Sequence, residues 1–136
     1  MKVLSLLQPW ASLVVMGVKK IETRSWSTNY RGPLLIHASQ SKKGGFITSE
    51  EVFKKYISSF ISLPFGAIIG RVTLEKILPA DHFGLDDHAM NRLTLEEKAF
   101  GDYSEGRYGW VLTDAEAFDE PIITRGHLNL WEYEMI

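Results

Sequence analysis

The longest strand-forming run in this chain is Gly66 to Leu78, rich in isoleucine and valine and stopped by Pro79. A strand of that length must sit in a sheet, because buried backbone N–H and C=O groups need partners. Further strand signals surround it. Lys2-Val3-Leu4-Ser5-Leu6 alternates, and Lys20 to Trp26 has a period of two. Leu34-Leu35-Ile36-His37-Ala38 reads as a buried strand, and Tyr108 to Leu112 and Asn129 to Tyr133 follow, with a weaker one near Ile122.

Helical signals are shorter. Gln8-Pro9 opens a helix carrying Trp10, Leu13, Val14 and Met16, which Gly17 ends. Thr48-Ser49-Glu50-Glu51 has capping-box spacing, and Val52, Phe53, Tyr56, Ile57 and Phe60 predict an amphipathic helix over 49–60. Thr94-Leu95-Glu96-Glu97 is a second capping box, opening a short helix ended by Gly101. Residues 39–45 and 80–93 read as polar, irregular segments. Five or six strands with a few short helices predict an α+β domain spanning 1–136, its mixed sheet curved or closed.

Composition excludes whole classes of chemistry. Without cysteine there is no disulfide, thiolate zinc site, iron–sulfur cluster or cysteine nucleophile. Asp81, His82, Asp86, Asp87 and His88 share one loop but lack metal-ligand spacing, so no metal is expected. Gly101-Asp102-Tyr103-Ser104-Glu105-Gly106 lacks the Lys-Ser/Thr ending of a phosphate loop, and no cofactor is expected. No apolar stretch approaches the ~20 residues of a membrane span. The absence of a secretory pattern makes the cytoplasm the expected location.

The net charge of −2 conceals an asymmetry. Residues 1–49 hold seven bases and one acid, a net of +6, whereas residues 50–136 hold eight bases and sixteen acids, a net of −8. Basic segments of this kind favour a polyanion partner. In strand geometry Lys20, Glu22, Arg24 and Trp26 share a face, and a glycine-bearing turn aims Lys19 toward it. A carboxylate beside a guanidinium and an ammonium suits phosphate binding with base stacking on Trp26, or proton transfer by Lys19 and Glu22. The same residues fit a surface ion-pair ladder, which stabilises little. His37, in an apolar strand, reads as a core histidine or a base.

Leu4-Ser5-Leu6-Leu7-Gln8-Pro9-Trp10-Ala11-Ser12-Leu13, Gly17-x-Lys19-x-x-Glu22-x-Arg24-Ser25-Trp26-x-Thr28, Arg31-Gly32 and Leu34-x-Ile36-x-Ala38 resemble the ASCH (activating signal cointegrator homology) domain, in its transcriptional-coactivator form. The likeness continues through Gly66 to Val72, Gly109-Trp110-Val111-Leu112, Pro121-Ile122 and Gly126 to Trp131. It implies a PUA-like β-barrel with flanking helices and a cleft that receives RNA or a nucleotide. It places Lys19, Glu22 and Arg24 along that cleft, with Trp26 and Arg31 beside it, Lys20 and one of Lys42 and Lys43 near it and Trp10 beneath; His37 is a further candidate binding residue. A protein-interaction module is the other binding reading. Some relatives hydrolyse N4-acetylcytidine with a Lys, a Thr and a Glu. Here Glu22 stands where that Thr belongs, and Thr23 is one step away on the strand. Others cleave RNA, and the motif is compatible with that.

Overall fold

The computed structural model describes residues 1–86, 89 and 91–135. In chain order these form β1 (Lys2–Leu6), α1 (Trp10–Val15), β2 (Ile21–Arg24), β3 (Gly32–Ala38), α2 (Glu51–Lys54) and β4 (Ala67–Pro79). They continue as β5 (Phe83–Gly84), β6 (Asn91–Arg92), α3 (Leu95–Phe100), β7 (Tyr108–Ile123) and β8 (Leu130–Glu132). Short 3-10 turns occupy Lys43–Ser49, Phe60–Ser62 and Ala80–His82.

Six strands make one mixed sheet in the order β2-β7-β4-β3-β1-β8, curled into a half-barrel. β1 and β3 run parallel, with Ser5 beside His37 and Leu6 beside Ala38. The other pairs in this sheet are antiparallel. The β4–β7 register shifts at three points, between Ile68 and Gly70, Arg71 and Thr73, and Leu74 and Lys76. Such irregularities bend strands and tighten their twist, which curls a long sheet.

Alternation along the strands divides the core. Leu4, Leu6, Leu34, Ile36, Val72, Leu74, Trp110 and Leu112 fill the concave side against Val14 and Val15 of α1. Val3, Leu35 and Ile68 face the other way and pack under Phe118, Trp131 and Tyr133. A third cluster, Leu13, Phe53, Ile57 and Phe100, joins the three helices. Each fully buried side chain of this kind contributes about 1.5–3 kcal/mol of transfer free energy. Gly17 ends α1 as its sequence predicts, at φ 77°, a left-handed conformation that costs glycine little.

Two elements differ from the expectation. The helix over 49–60 is broken: α2 covers only Glu51–Lys54, preceded by a 3-10 turn. The Thr48 hydroxyl donates to Gly45 O at 2.7 Å, and Glu50 is the N-cap with no side-chain cap. One turn suffices to seat Phe53 and Ile57 on the core. Tyr56 packs beside them on Phe100 and also donates its hydroxyl to Glu96 at 2.6 Å. The second difference is β7, a single strand of 16 residues that joins the runs expected at 108–112 and near 122.

Candidate functional site

The site is built where the chain leaves α1. Val18 and Lys19 both donate their N–H groups to Leu13 O, which folds Lys19 back against the sheet. Its side chain is 1% exposed, and Nζ donates to Ile21 O and lies 3.0 Å from Glu22 Oε1. The other Glu22 oxygen accepts from Arg24 at 3.2 Å. One buried carboxylate therefore bridges a buried ammonium and a half-buried guanidinium. Arg24 Cζ lies 5.8 Å from the Trp26 ring centroid. Trp26 meets Trp110 edge-on at 4.9 Å, and Trp110 Nε1 donates to Trp26 O.

β2 is held from below by α3. Thr94 Oγ1 accepts the Glu97 N–H at 3.0 Å, completing half of a capping box. The Glu97 carboxylate does not return to Thr94. It accepts the N–H groups of Lys20 and Ile21 at 3.0 and 3.2 Å. Burial raises the Glu97 pKa, while the Lys20 N–H and the Lys19 charge pull it back down. Thr23 Oγ1 accepts the Asp102 N–H at 2.9 Å, and Arg107 donates to Thr23 O at 3.1 Å, so the loop after α3 is clasped to β2. The Tyr103 hydroxyl is buried without a hydrogen-bond partner among the described residues, and burial, with the charges of Glu97 and Glu22, pushes its pKa up.

Between these elements lies a cavity of about 340 Å³. Leu6, Leu7, Trp10, Ile47, Phe53 and Phe100 make its apolar side, and Glu22, Thr23, Arg24, Gly101 and Asp102 its polar side. Trp10 is pinned by donating Nε1–H to Phe100 O at 2.9 Å, in the supporting position expected of it. Aromatic and aliphatic side chains thus face a carboxylate and a guanidinium across this cavity.

The expected cluster is only partly assembled. Glu22 and Arg24 line the cavity, and Lys19 reaches it through Glu22. Trp26 lies beyond the end of β2, half-buried against Trp110 and Arg24. Arg31 is exposed on the turn before β3, where it donates to Thr28 O and Tyr30 O. Lys20 is exposed beside a separate cavity, and Lys42 lies 4.5 Å from the Phe65 ring. None of these four lines the cavity. His37 points from the opposite face of β3, into the packing around Ser5 and Trp131. No metal-binding cluster occurs among the described residues, and Asp87 and His88 of the expected acidic loop lie outside them. Glu97 and Asp102 are participants that the sequence reading missed. Thr94-x-x-Glu97 was the available signal, read as a purely local cap.

The family model of the ASCH domain matches residues 4–122. Over 39 residues the chain is 56% identical to human Activating signal cointegrator 1, a stretch that is 29% of this chain and 7% of that protein. The mouse protein of the same name is 58% identical over 36 residues, 26% of this chain and 6% of its own length. The matches thus span a small fraction of these curated relatives. Among solved structures, the ASCH protein of Zymomonas mobilis superposes with a TM-score of 0.59 at 17% identity, covering 98% of this chain and 87% of that one. A point mutant of the same bacterial protein gives 0.59 at 19% identity, with 98% and 89% covered. At these identities the likeness concerns the fold alone.

Proposed function

Because this chain belongs to the ASCH domain family, we propose that its 340 Å³ cavity binds the base of a nucleotide or of an RNA strand. The observation that carries this reading is the Glu22 carboxylate held between Lys19 and Arg24 at the wall of an aromatic slot. Each carboxylate oxygen keeps acceptor capacity beyond its present partner, so Glu22 receives a base amino group. Arg24 contacts the adjoining phosphate, and Trp26 offers a face to the neighbouring base. Lys19 touches no ligand; it is a positioning residue that fixes the carboxylate.

Ribonucleoside monophosphates and short single-stranded RNAs, titrated by calorimetry at fixed salt, test the reading. Arg24→Ala should weaken binding about tenfold, the worth of one charge-assisted contact, and lower the salt slope by about 0.7. Unchanged affinity and slope in both Arg24→Ala and Glu22→Gln would sink it.

Hydrolysis of a modified nucleoside or of RNA is the second reading. It is favoured by the desolvated Lys19–Glu22 pair, an ammonium and a carboxylate 3.0 Å apart with Glu22 at the cavity wall. N4-acylated cytidines and short RNAs are the substrates to incubate. Turnover that disappears in Glu22→Gln supports hydrolysis, and the absence of turnover refutes it.

A further inference from the structure

A second cavity, of about 330 Å³, opens on the opposite side of the β1–β3 pair. Ser39, Gln40, Arg125 and His127 are among its lining residues, with His37 in its wall, and no acidic residue lines it among the described residues. That is unusual placement for a chain whose residues 50–136 carry a net of −8. The Arg125 guanidinium is exposed and makes no hydrogen bond or ion pair among the described residues, in contrast to Arg24, Arg31 and Arg107. The Gln40 amide likewise has no hydrogen-bond partner among them.

The segment carrying Arg125 is held in place. Trp131 Nε1 donates to Ser5 Oγ at 3.1 Å. The Thr124 carbonyl can only accept, so His37 Nε2 carries the proton of their 2.8 Å bond. Nδ1 is then the acceptor for the Ser5 hydroxyl at 3.0 Å. This chain of three hydrogen bonds ends on Thr124, the residue before Arg125. Thr124 also donates its N–H to Gly66 O at 3.1 Å. Gly126 lies so close that a Cβ there would fall 2.6 Å from His37 Cε1 and 2.8 Å from Ser5 Oγ. The His127 ring meets Trp131 edge-on at 4.9 Å. Burial lowers the His37 pKa, the direction that favours the neutral imidazole its acceptor role requires. These contacts fix the backbone on both sides of Arg125 and the ring of His127, so part of the ordering that anion binding requires is already in place.

We propose that this cavity binds a phosphate group, held by the Arg125 guanidinium, the His127 imidazole and the Gln40 amide. The site is independent of the nucleotide pocket described above. Two sources share this chemistry: a backbone phosphate of a bound strand, and free phosphate or a phosphomonoester.

The first measurement is an amide NMR titration of the full chain with inorganic phosphate, against sodium chloride of equal ionic strength. Saturable shifts at Ser39, Gln40, Gly126 and His127, at roughly millimolar concentration or below, are expected. They should weaken at least tenfold in Arg125→Ala and persist in Arg24→Ala. No saturable shift, or shifts unaltered by Arg125→Ala, would overturn the proposal. A second arm separates the sources with a short single-stranded RNA lacking terminal phosphates. If Arg125→Ala also weakens that RNA and lowers its salt slope by about 0.7, the phosphate belongs to a strand. If the RNA is unaffected while the phosphate shifts are lost, the ligand is free phosphate. Loss of RNA binding in Arg24→Ala with intact phosphate shifts tests the nucleotide pocket separately.

Discussion

Replacing Glu22 by glutamine removes one negative charge from between Lys19 and Arg24 and leaves the shape of the side chain unchanged. At 3.0 Å and an effective dielectric near 20, the Lys19–Glu22 attraction is about 5 kcal/mol. Desolvating the two groups costs several kcal/mol each, so the intact pair lies near break-even. The single variant is different, because Lys19 stays 1% exposed with only neutral acceptors in direct contact, the Glu97 charge acting on it from farther away. Breaking a buried pair from one side costs about 3–5 kcal/mol. The glutamine oxygen still accepts from Nζ, which places the expectation at the lower end, about 3 kcal/mol. For 136 residues, unfolding entropy near 60 °C is about 0.3 kcal/mol/K, so Tm should fall by about 10 °C. Lys19→Met in the Glu22→Gln background removes the stranded charge and should recover at least half of the loss. Urea denaturation of the four proteins of this cycle yields the coupling free energy directly. Additive single effects, or a Glu22→Gln loss under about 0.5 kcal/mol, would show that water reaches Lys19 and refute the reasoning.

Two buried groups should tilt stability with pH in opposite directions. His37 has a lowered folded pKa, so its contribution is complete above the ordinary histidine value and is lost as pH falls through the folded one. Its slope approaches about 1.4 kcal/mol per pH unit, the limit for one proton, and urea midpoints of His37→Gln between pH 7 and 5 should lack that component. Glu97 has a raised folded pKa, so its contribution is complete at low pH and is lost as pH rises through the ordinary glutamate range to the folded value. Glu97→Gln should therefore cost more stability relative to the parent at pH 4.5 than at pH 7.5, and an equal cost at both would contradict a desolvated carboxylate.

Strands with a clean period or a run of β-branched residues were legible in advance. β1, β3 and β4 lie within a residue or two of their expected bounds, because alternation and flanking Gly or Pro are local properties. The middle of β7 was not legible. Thr113 to Glu120 is mostly exposed and acidic, and it pairs with β4 only through a register repeatedly shifted by tertiary packing. The adjacency of Glu22 and Arg24 follows from their spacing on one strand. The burial of Lys19 does not, since the chain there is folded back onto Leu13 O and the strand after it is anchored by Glu97, 77 residues from Lys20. Thr94-x-x-Glu97 shows why such links escape a local reading: the threonine caps its own helix, while the glutamate serves another element. His37 was recognised as an unusual residue in an apolar strand, but its partners Ser5, Thr124 and Trp131 come from three distant segments.

The pairing of β8 with β1 has a kinetic consequence. Lys2 lies opposite Glu132 and Leu4 opposite Leu130, and Lys2 and Glu132 form an ion pair at 2.8 Å. This zipper joins segments separated by almost the whole chain, a topology that slows folding because loop closure precedes the contacts that reward it. During synthesis β1 leaves the ribosome before β3 and β8 and can pair with β3, yet its other edge stays open until β8 arrives. Over that interval Val3 and Leu35 lack the cover that Trp131 later supplies, and an uncovered apolar strand edge is a template for association. Folding yield should therefore depend on nascent-chain concentration more steeply than the stability of the finished sheet would suggest.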